Sequence, residues 1–279
     1  HIDRPLFDQT RGQREFQAAR DLLQLDAQPC EAILIVEFFE DAAERLALLA
    51  KKKLGRRQLM LRTPAEAELV WSVRKAGLSL LTGCKGSAKP ACFIEDAAVR
   101  PQDLPAYVGQ LEELMRRVGV TASYYGHAAA GLLHVRPVLD LHSAGDLQKF
   151  RQIANEVSAL VGQFKGSLAG EHGVGMARTE FLPAQVGPEL YRLMKEIKQS
   201  FDPGNLFNPG KIIGDGRYKI DSHLRMNPER PLELPFVPRL AFAAKDGSFA
   251  GNLEQCNGCG GCLKATPAMC PTYLTTGDE

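Results

Sequence analysis

The chain has 279 residues, 44% of them hydrophobic, so it can bury a sizeable core. Its 34 Lys+Arg against 33 Asp+Glu leave a net charge of +1, which gives no electrostatic reason to expect a nucleic-acid partner. The longest apolar run, Ala32 to Val36, is far too short to cross a bilayer, and no basic, hydrophobic leader is present, so the expected location is cytoplasmic or peripheral to the inner face of a membrane.

In chain order, Ala32 to Val36 is a β-branched run that predicts a strand. Asp41 to Leu54 follows with Leu46, Leu49 and Leu54 at helical spacing and Gly55 as a stop. Thr63-Pro64-Ala65-Glu66 is a capping box with Pro at the first helical position; it predicts a helix from Pro64 to Ala76 closing at Gly77, with Trp71 and Arg74 on one side. Cys92 to Glu95 reads as a strand and Leu104 to Val118 as a helix ended by Gly119. Val120 to Tyr125 and Leu132 to Leu139 read as two strands around the small-residue turn Ala128 to Gly131. Leu147 to Phe164 is amphipathic, with Phe150, Ile153, Val157, Leu160 and Val161 on one face, and Leu190 to Phe201 is a second such helix. Local hairpins mixed with helices predict an α+β fold, an antiparallel sheet covered by helices, rather than a doubly wound parallel one. From Gly214 the periodicity collapses into a Pro-rich stretch. The expected organisation is therefore a domain over 1–213, an extended linker over 214–250 and a cysteine-rich segment over 251–279.

Chemistry concentrates in Gly126-His127, His134 and Gly170-Glu171-His172-Gly173-Val174-Gly175. Three imidazoles and a carboxylate are groups that hold divalent metals and move protons near neutral pH. His127 and His134 are seven apart, which would send them to opposite faces of one continuous strand, so the turn at Ala128 to Gly131 must bring them together. Glu171 from a later loop could complete a nitrogen and oxygen ligand set, leaving His172 beside it as a general base. Each histidine also has a plain reading as a hydrogen-bonded structural residue.

These motifs, followed by Phe201-Asp202-Pro203-Gly204-Asn205-Leu206-Phe207-Asn208-Pro209-Gly210-Lys211, occur in the order found in the C-terminal domain of the FAD-linked oxidases, relatives of vanillyl-alcohol oxidase. The resemblance extends more weakly to Trp71-Ser72-Val73-Arg74 and Glu95-Asp96-Ala97-Ala98-Val99, and covers about Ala32 to Ile213. It implies oxidation of a 2-hydroxy acid, with His127, His134 and Glu171 gripping a divalent metal, Zn or Mn, and His172 as the base facing FAD. It further implies that Arg74 binds a substrate carboxylate, for which a guanidinium fork is suited. Arg136, two residues after His134 and so on the same strand face, is a second clamp candidate. The alternatives are a solvated helix face for Arg74 and a surface salt bridge for Arg136. Asn205 and Asn208 are cofactor-contact candidates by the same resemblance. Many members carry Gly-Asp-Gly-Asn between the two histidines, where this chain has Ala129-Ala130-Gly131-Leu132; the histidine spacing survives but the polar pair does not.

Cys256, Cys259 and Cys262, then Cys270-Pro271, form CxxCxxC with a trailing Cys-Pro, half of a ferredoxin-type signature for a [4Fe-4S] cluster. A four-thiolate zinc site is the alternative. With no second quartet, 251–279 is expected to hold no complete cluster and to pack loosely. Nothing before Ala32 resembles a Gly-rich pyrophosphate loop, so the chain reads as a middle piece needing an N-terminal FAD domain and a downstream electron acceptor. The competing reading is a non-catalytic electron-transfer or assembly module with structural metals. A zinc hydrolase is disfavoured because there is no HExxH.

Overall fold

A computed structural model describes residues 1–229, 232–256, 263 and 271–277. Its strands are β1 (Ile2–Asp3), β2 (Ala32–Ile33), β3 (Lys89–Pro90), β4 (Ala97–Ala98), β5 (Ala122–His127) and β6 (Leu132–Leu139). The helices are α1 (Arg4–Asp8), α2 (Gln17–Leu22), α3 (Ala42–Lys51), α4 (Pro64–Lys75), α5 (Gly77–Thr82), α6 (Leu104–Val118), α7 (Ala144–Gln163), α8 (Leu182–Val186), α9 (Pro188–Phe201), α10 (Ala243–Asp246), α11 (Phe249–Leu253) and α12 (Pro271–Thr276). The sheet runs β2-β1-β5-β6-β3, with β4 also on β6, and these named pairs are antiparallel. The fold is thus α+β, as the mixed periodicity implied.

The long hairpin β5–β6 organises the rest. Strand alternation sends Leu133, Val135 and Leu139 to one face, where they pack with Tyr107, Leu111 and Leu114 of α6 and Phe150, Ile153, Val157 and Val161 of α7 in the main core. Gly119, at φ +70°, ends α6 in the left-handed region. On the other face Tyr125 joins a second cluster with Ile2, Leu6 and Phe7, with Ala19 of α2 and with Val70 and Val73 of α4. Both faces are covered, and strand β6 is buried along most of its length.

Several expectations shift. Only Ala32–Ile33 of the first apolar run pairs, with β1, and Leu34 and Val36 are exposed. Helix α3 stops at Lys51 because Lys53 turns left-handed at φ +49°, and it buries none of its side chains. The capping box of α4 forms as read, but Gly77 does not close the helix: it opens α5, and a Cβ there would meet Leu6 Cδ1 at 2.9 Å. That glycine serves a close packing contact rather than a turn. The strand placed at Cys92 to Glu95 forms instead at Ala97–Ala98, after a turn at Glu95-Asp96. Helix α9 has the expected apolar stripe, yet Leu190, Leu193, Ile197 and Phe201 are exposed and Tyr191 is its buried residue.

After Gly214 the chain runs without helix or strand to α10, apart from residues 230–231, which lie outside the described set. It stays on the domain, with Ile220 in the main core and Asp221 paired with Arg151. Residues 251–256 are not loosely packed. Glu254 Oε2 lies 3.0 Å from His142 Nε2, and Gln255 Oε1 accepts from Lys89 Nζ at 2.8 Å. Beyond Cys256, the expectations for Cys259, Cys262 and Cys270 fall outside the described residues.

His142 is clamped from both sides, since its Nδ1 is 2.9 Å from Asp140 Oδ1. Partial burial works against its charge, but hydrogen bonds to Asp140 and Glu254 outweigh that and raise its pKa above the ordinary 6.5. A raised folded pKa means that the stabilisation is complete below the unfolded value and is lost as pH rises through the folded one. Protection of the 249–256 amides, corrected for intrinsic exchange, should therefore fall as pH rises above about 6.5. Glu254→Gln should flatten that dependence in hydrogen-exchange mass spectrometry, and unchanged pH dependence would contradict the clamp.

Candidate active site

The hairpin register solves the odd spacing of the two histidines. Tyr125 pairs with His134, His127 with Leu132 and Ser123 with Arg136, so Tyr125, His127, His134 and Arg136 share the face away from α6 and α7. A 3-10 turn at Ala128–Ala130 and Gly131, at φ +71°, reverse the chain between them. Only glycine fits at position 131, because a Cβ there would lie 1.7 Å from the Val99 carbonyl oxygen. The His127 and His134 ring centroids are 6.0 Å apart.

A second element brings the Gly170–Gly175 loop onto this face. Asp96 is fully buried and sits at φ +74°, a conformation that Asp tolerates better than bulky residues do. Its two carboxylate oxygens accept from the backbone N–H of Glu171 and of His172, each at 2.9 Å. Its own N–H donates to the Leu133 carbonyl, and its carbonyl accepts from Gly170 N–H at 2.8 Å. Gly170 is needed for that approach, since a Cβ would meet Leu132 Cδ1 at 2.4 Å. Arg178 completes the frame by donating to the carbonyls of Glu95 and Gly173.

The side chains then converge. His134 Nε2 is 3.0 Å from Glu171 Oε1, His172 Nε2 is 3.4 Å from the same oxygen, and His127 Nε2 is 3.9 Å from Glu171 Oε2. The His134 and His172 rings stack at 5.1 Å between centroids, 10° from parallel. Burial, reinforced by the charges of His172 and the nearby arginines, pushes the His134 pKa down to about 4. His134 is therefore a neutral imidazole at physiological pH, and its buried Nδ1 has no hydrogen-bond partner among the described residues. Asp96, His134, Glu171 and His172 each offer a ligand atom within 4.8 Å of the others. Neutral imidazole nitrogen beside carboxylate oxygen is a donor set that suits Zn or Mn, so the residues fit a divalent cation. Sequence reasoning singled out His127, His134, Glu171 and His172, and the structure brings all four together, with His127 more exposed at the rim.

Arg74 reaches the cluster from α4. Its Cζ lies 5.0 Å from the Tyr125 ring centroid, and that ring is 4.8 Å from His134. Among the described residues the Arg74 guanidinium has no hydrogen bond and no acidic partner, so it is open to an anion. Arg136 is different. Expected as a second clamp, it is 3% exposed, ion-paired with Glu95, bonded to the Tyr125 hydroxyl at 2.9 Å and set against Cys92 Sγ. Its donors are spent within the protein. Asn205 and Asn208 both sit in left-handed backbone on the exposed loop after α9; Asn208 accepts from Lys211, and neither side chain bonds to the cluster. That loop is held by Asp202, which accepts from Leu206 and Phe207 N–H. Glu95, Asp96 and Tyr125 had no assigned role from sequence. The available signal was an acidic pair beside an Ala-Ala strand, and the expected strand through Glu95 concealed the turn.

Asp96→Ala should destabilise the domain by about 1–3 kcal/mol in chemical denaturation, because it strands two partly buried N–H groups. A change within about 0.5 kcal/mol, the range of an ordinary surface substitution, would show that the Glu171-His172 backbone is held otherwise.

Residues 3–212 match the family described as FAD linked oxidases, C-terminal domain. The chain is 36% identical to the D-2-hydroxyglutarate dehydrogenase of Escherichia coli (strain K12), over 76% of this chain and 20% of that protein. It is 26% identical to a glycolate oxidase subunit of Bacillus subtilis (strain 168), over 68% of this chain and 41% of that protein. Against a D-lactate dehydrogenase of Archaeoglobus fulgidus it is 31% identical, over 46% of this chain and 28% of that protein. The chain thus spans about a fifth of the D-2-hydroxyglutarate dehydrogenases it matches.

Proposed function

The chain belongs to the FAD linked oxidase C-terminal domain family, and from that premise we propose that it forms the substrate- and metal-binding part of a dehydrogenase that oxidises a D-2-hydroxy acid to the 2-oxo acid. The observation that carries this reading is the unpaired Arg74 guanidinium beside the His127, His134, Glu171 and His172 cluster. A 2-hydroxy acid presents a carboxylate next to a hydroxyl, and these two features answer one to each.

Arg74, backed by the Tyr125 ring, takes the carboxylate and fixes the orientation of the substrate. His172 takes the hydroxyl proton at a ring nitrogen, and the stacked His134 ring limits its rotation. His134, held neutral, and Glu171, with His127 at the rim, are the residues that would hold the divalent metal. When bound, the metal polarises a hydroxyl oxygen and FAD, carried on an N-terminal domain, accepts two electrons. Asn205 and Asn208 remain candidates for flavin contact, and Cys256, Cys259, Cys262 and Cys270 for part of an iron–sulfur site that passes electrons to a downstream acceptor. Cytoplasmic residence, or attachment at the inner face of a membrane, fits the lack of a helix long and apolar enough to cross one among the described residues.

The test uses the full-length protein with a dye acceptor and a panel of D-2-hydroxy acids. His172→Ala should lower kcat by roughly 10²–10⁴-fold with folding intact. Arg74→Ala should raise KM for every acid in the panel, and Arg74→Lys should restore little of the loss because a bidentate fork is missing. Wild-type turnover in His172→Ala would overturn its role as the base, whereas loss of solubility alone would favour a non-catalytic electron-transfer or assembly module with structural metal sites.

A further inference from the structure

We propose that Glu95 is a positioning residue for His172, and that Arg136 exists to hold Glu95 in that role. The proposal rests on the reading of His172 as the base and extends it to two residues that the reading leaves idle.

Glu95 Oε1 lies 3.5 Å from His172 Nδ1, while its other oxygen is paired with the Arg136 guanidinium. Glu95 has little exposure, with 14% of its side chain accessible, and Arg136 has almost none. A buried carboxylate with a single long contact would be free to swing; an ion pair on its second oxygen prevents that. Arg136 is itself fixed by the Tyr125 hydroxyl, bonded from both Nε and Nη2, and by its place in the middle of β6. The backbone at both ends is equally constrained. Glu95 is tied through its carbonyl to Arg178, and His172 through its N–H to Asp96, the residue after Glu95. Carboxylate and imidazole therefore extend from two backbone segments that the Asp96 bonds to Glu171 and His172 hold side by side.

The chemical consequence follows from the two nitrogens of imidazole. In the tautomer that carries its proton on Nδ1, toward the Glu95 oxygen 3.5 Å away, Nε2 is left bare and faces the cluster, where it lies 3.4 Å from Glu171 Oε1. A base needs its lone pair aimed at the proton it takes, and ring rotation by half a turn would exchange the nitrogens. Histidine ligands and bases are commonly held this way by an outer carboxylate, and losing it typically costs 10–100-fold. Glu171 cannot do this work, because it lies on the Nε2 side.

The experiment is a double-mutant cycle in the full-length, flavin-loaded enzyme, with kcat, KM, bound metal and melting temperature measured for Glu95→Gln, His172→Ala and the pair. Glu95→Gln should lower kcat by roughly 10–100-fold with KM and metal content near wild type. That loss should vanish in the His172→Ala background, where there is no base to orient. An equal loss in both backgrounds, or a change in KM with kcat intact, overturns the positioning role and leaves the base assignment standing. Turnover at the wild-type level in His172→Ala overturns both. Should Glu95→Gln fail to fold because Arg136 is left unpaired, Glu95→Asp keeps the charge one methylene short. It should fold and lose kcat, and wild-type kcat there would equally overturn the proposal.

Discussion

The site depends on one interaction, the buried carboxylate of Asp96 accepting from two consecutive backbone N–H groups, those of Glu171 and His172. The loop bearing these residues is otherwise joined to the sheet by few bonds, and its glycines make it conformationally free. Asp96 removes that freedom at the place where Glu171 and His172 must face β6. Because Asp96 is also bonded to Leu133 through its backbone, the loop is registered directly against the residue next to His134. An unpaired carboxylate at this depth would be costly, and the two N–H donors offset that cost.

Around this anchor the sheet divides its labour. The face of β5–β6 toward α6 and α7 is aliphatic and aromatic, packed in the main core. The opposite face carries Tyr125, His127, His134 and Arg136 in successive register positions. Rigid packing on one side is what allows polar side chains on the other to be held at fixed separations, since strand residues cannot shift along the sheet without dragging the core with them. Burial of His134 is part of the same arrangement and keeps its imidazole uncharged next to His172, Arg136, Arg74 and His127.

Much of this was legible from the residues. The capping box at Thr63 placed Arg74 near the end of a helix, and the turn at Ala128–Gly131 put His127 and His134 on one side. Short-range signals of this kind are encoded by residues that bond to their neighbours. The partner of Arg136 was not legible, because strand alternation gives a side chain's face but not what lies across a gap of some forty residues. The Glu95-Asp96 turn was hidden for a related reason: its left-handed residue is an Asp rather than a Gly, and what stabilises it is a loop far along the chain. Helix α9 shows the limit of periodicity, which found its stripe of Leu190, Leu193 and Ile197 but carried no sign of which way the stripe faces.

The turn between the two histidines also bears on how such a protein could diversify. Gly131 is locked by the Val99 carbonyl, whereas Ala129 and Ala130, in the turn that follows His127, are exposed. Mutational drift at these two positions would leave the hairpin register, and with it the spacing of the imidazoles, untouched. New side chains could thus be tried in this turn one at a time, without lineages first passing through an unstable ancestor.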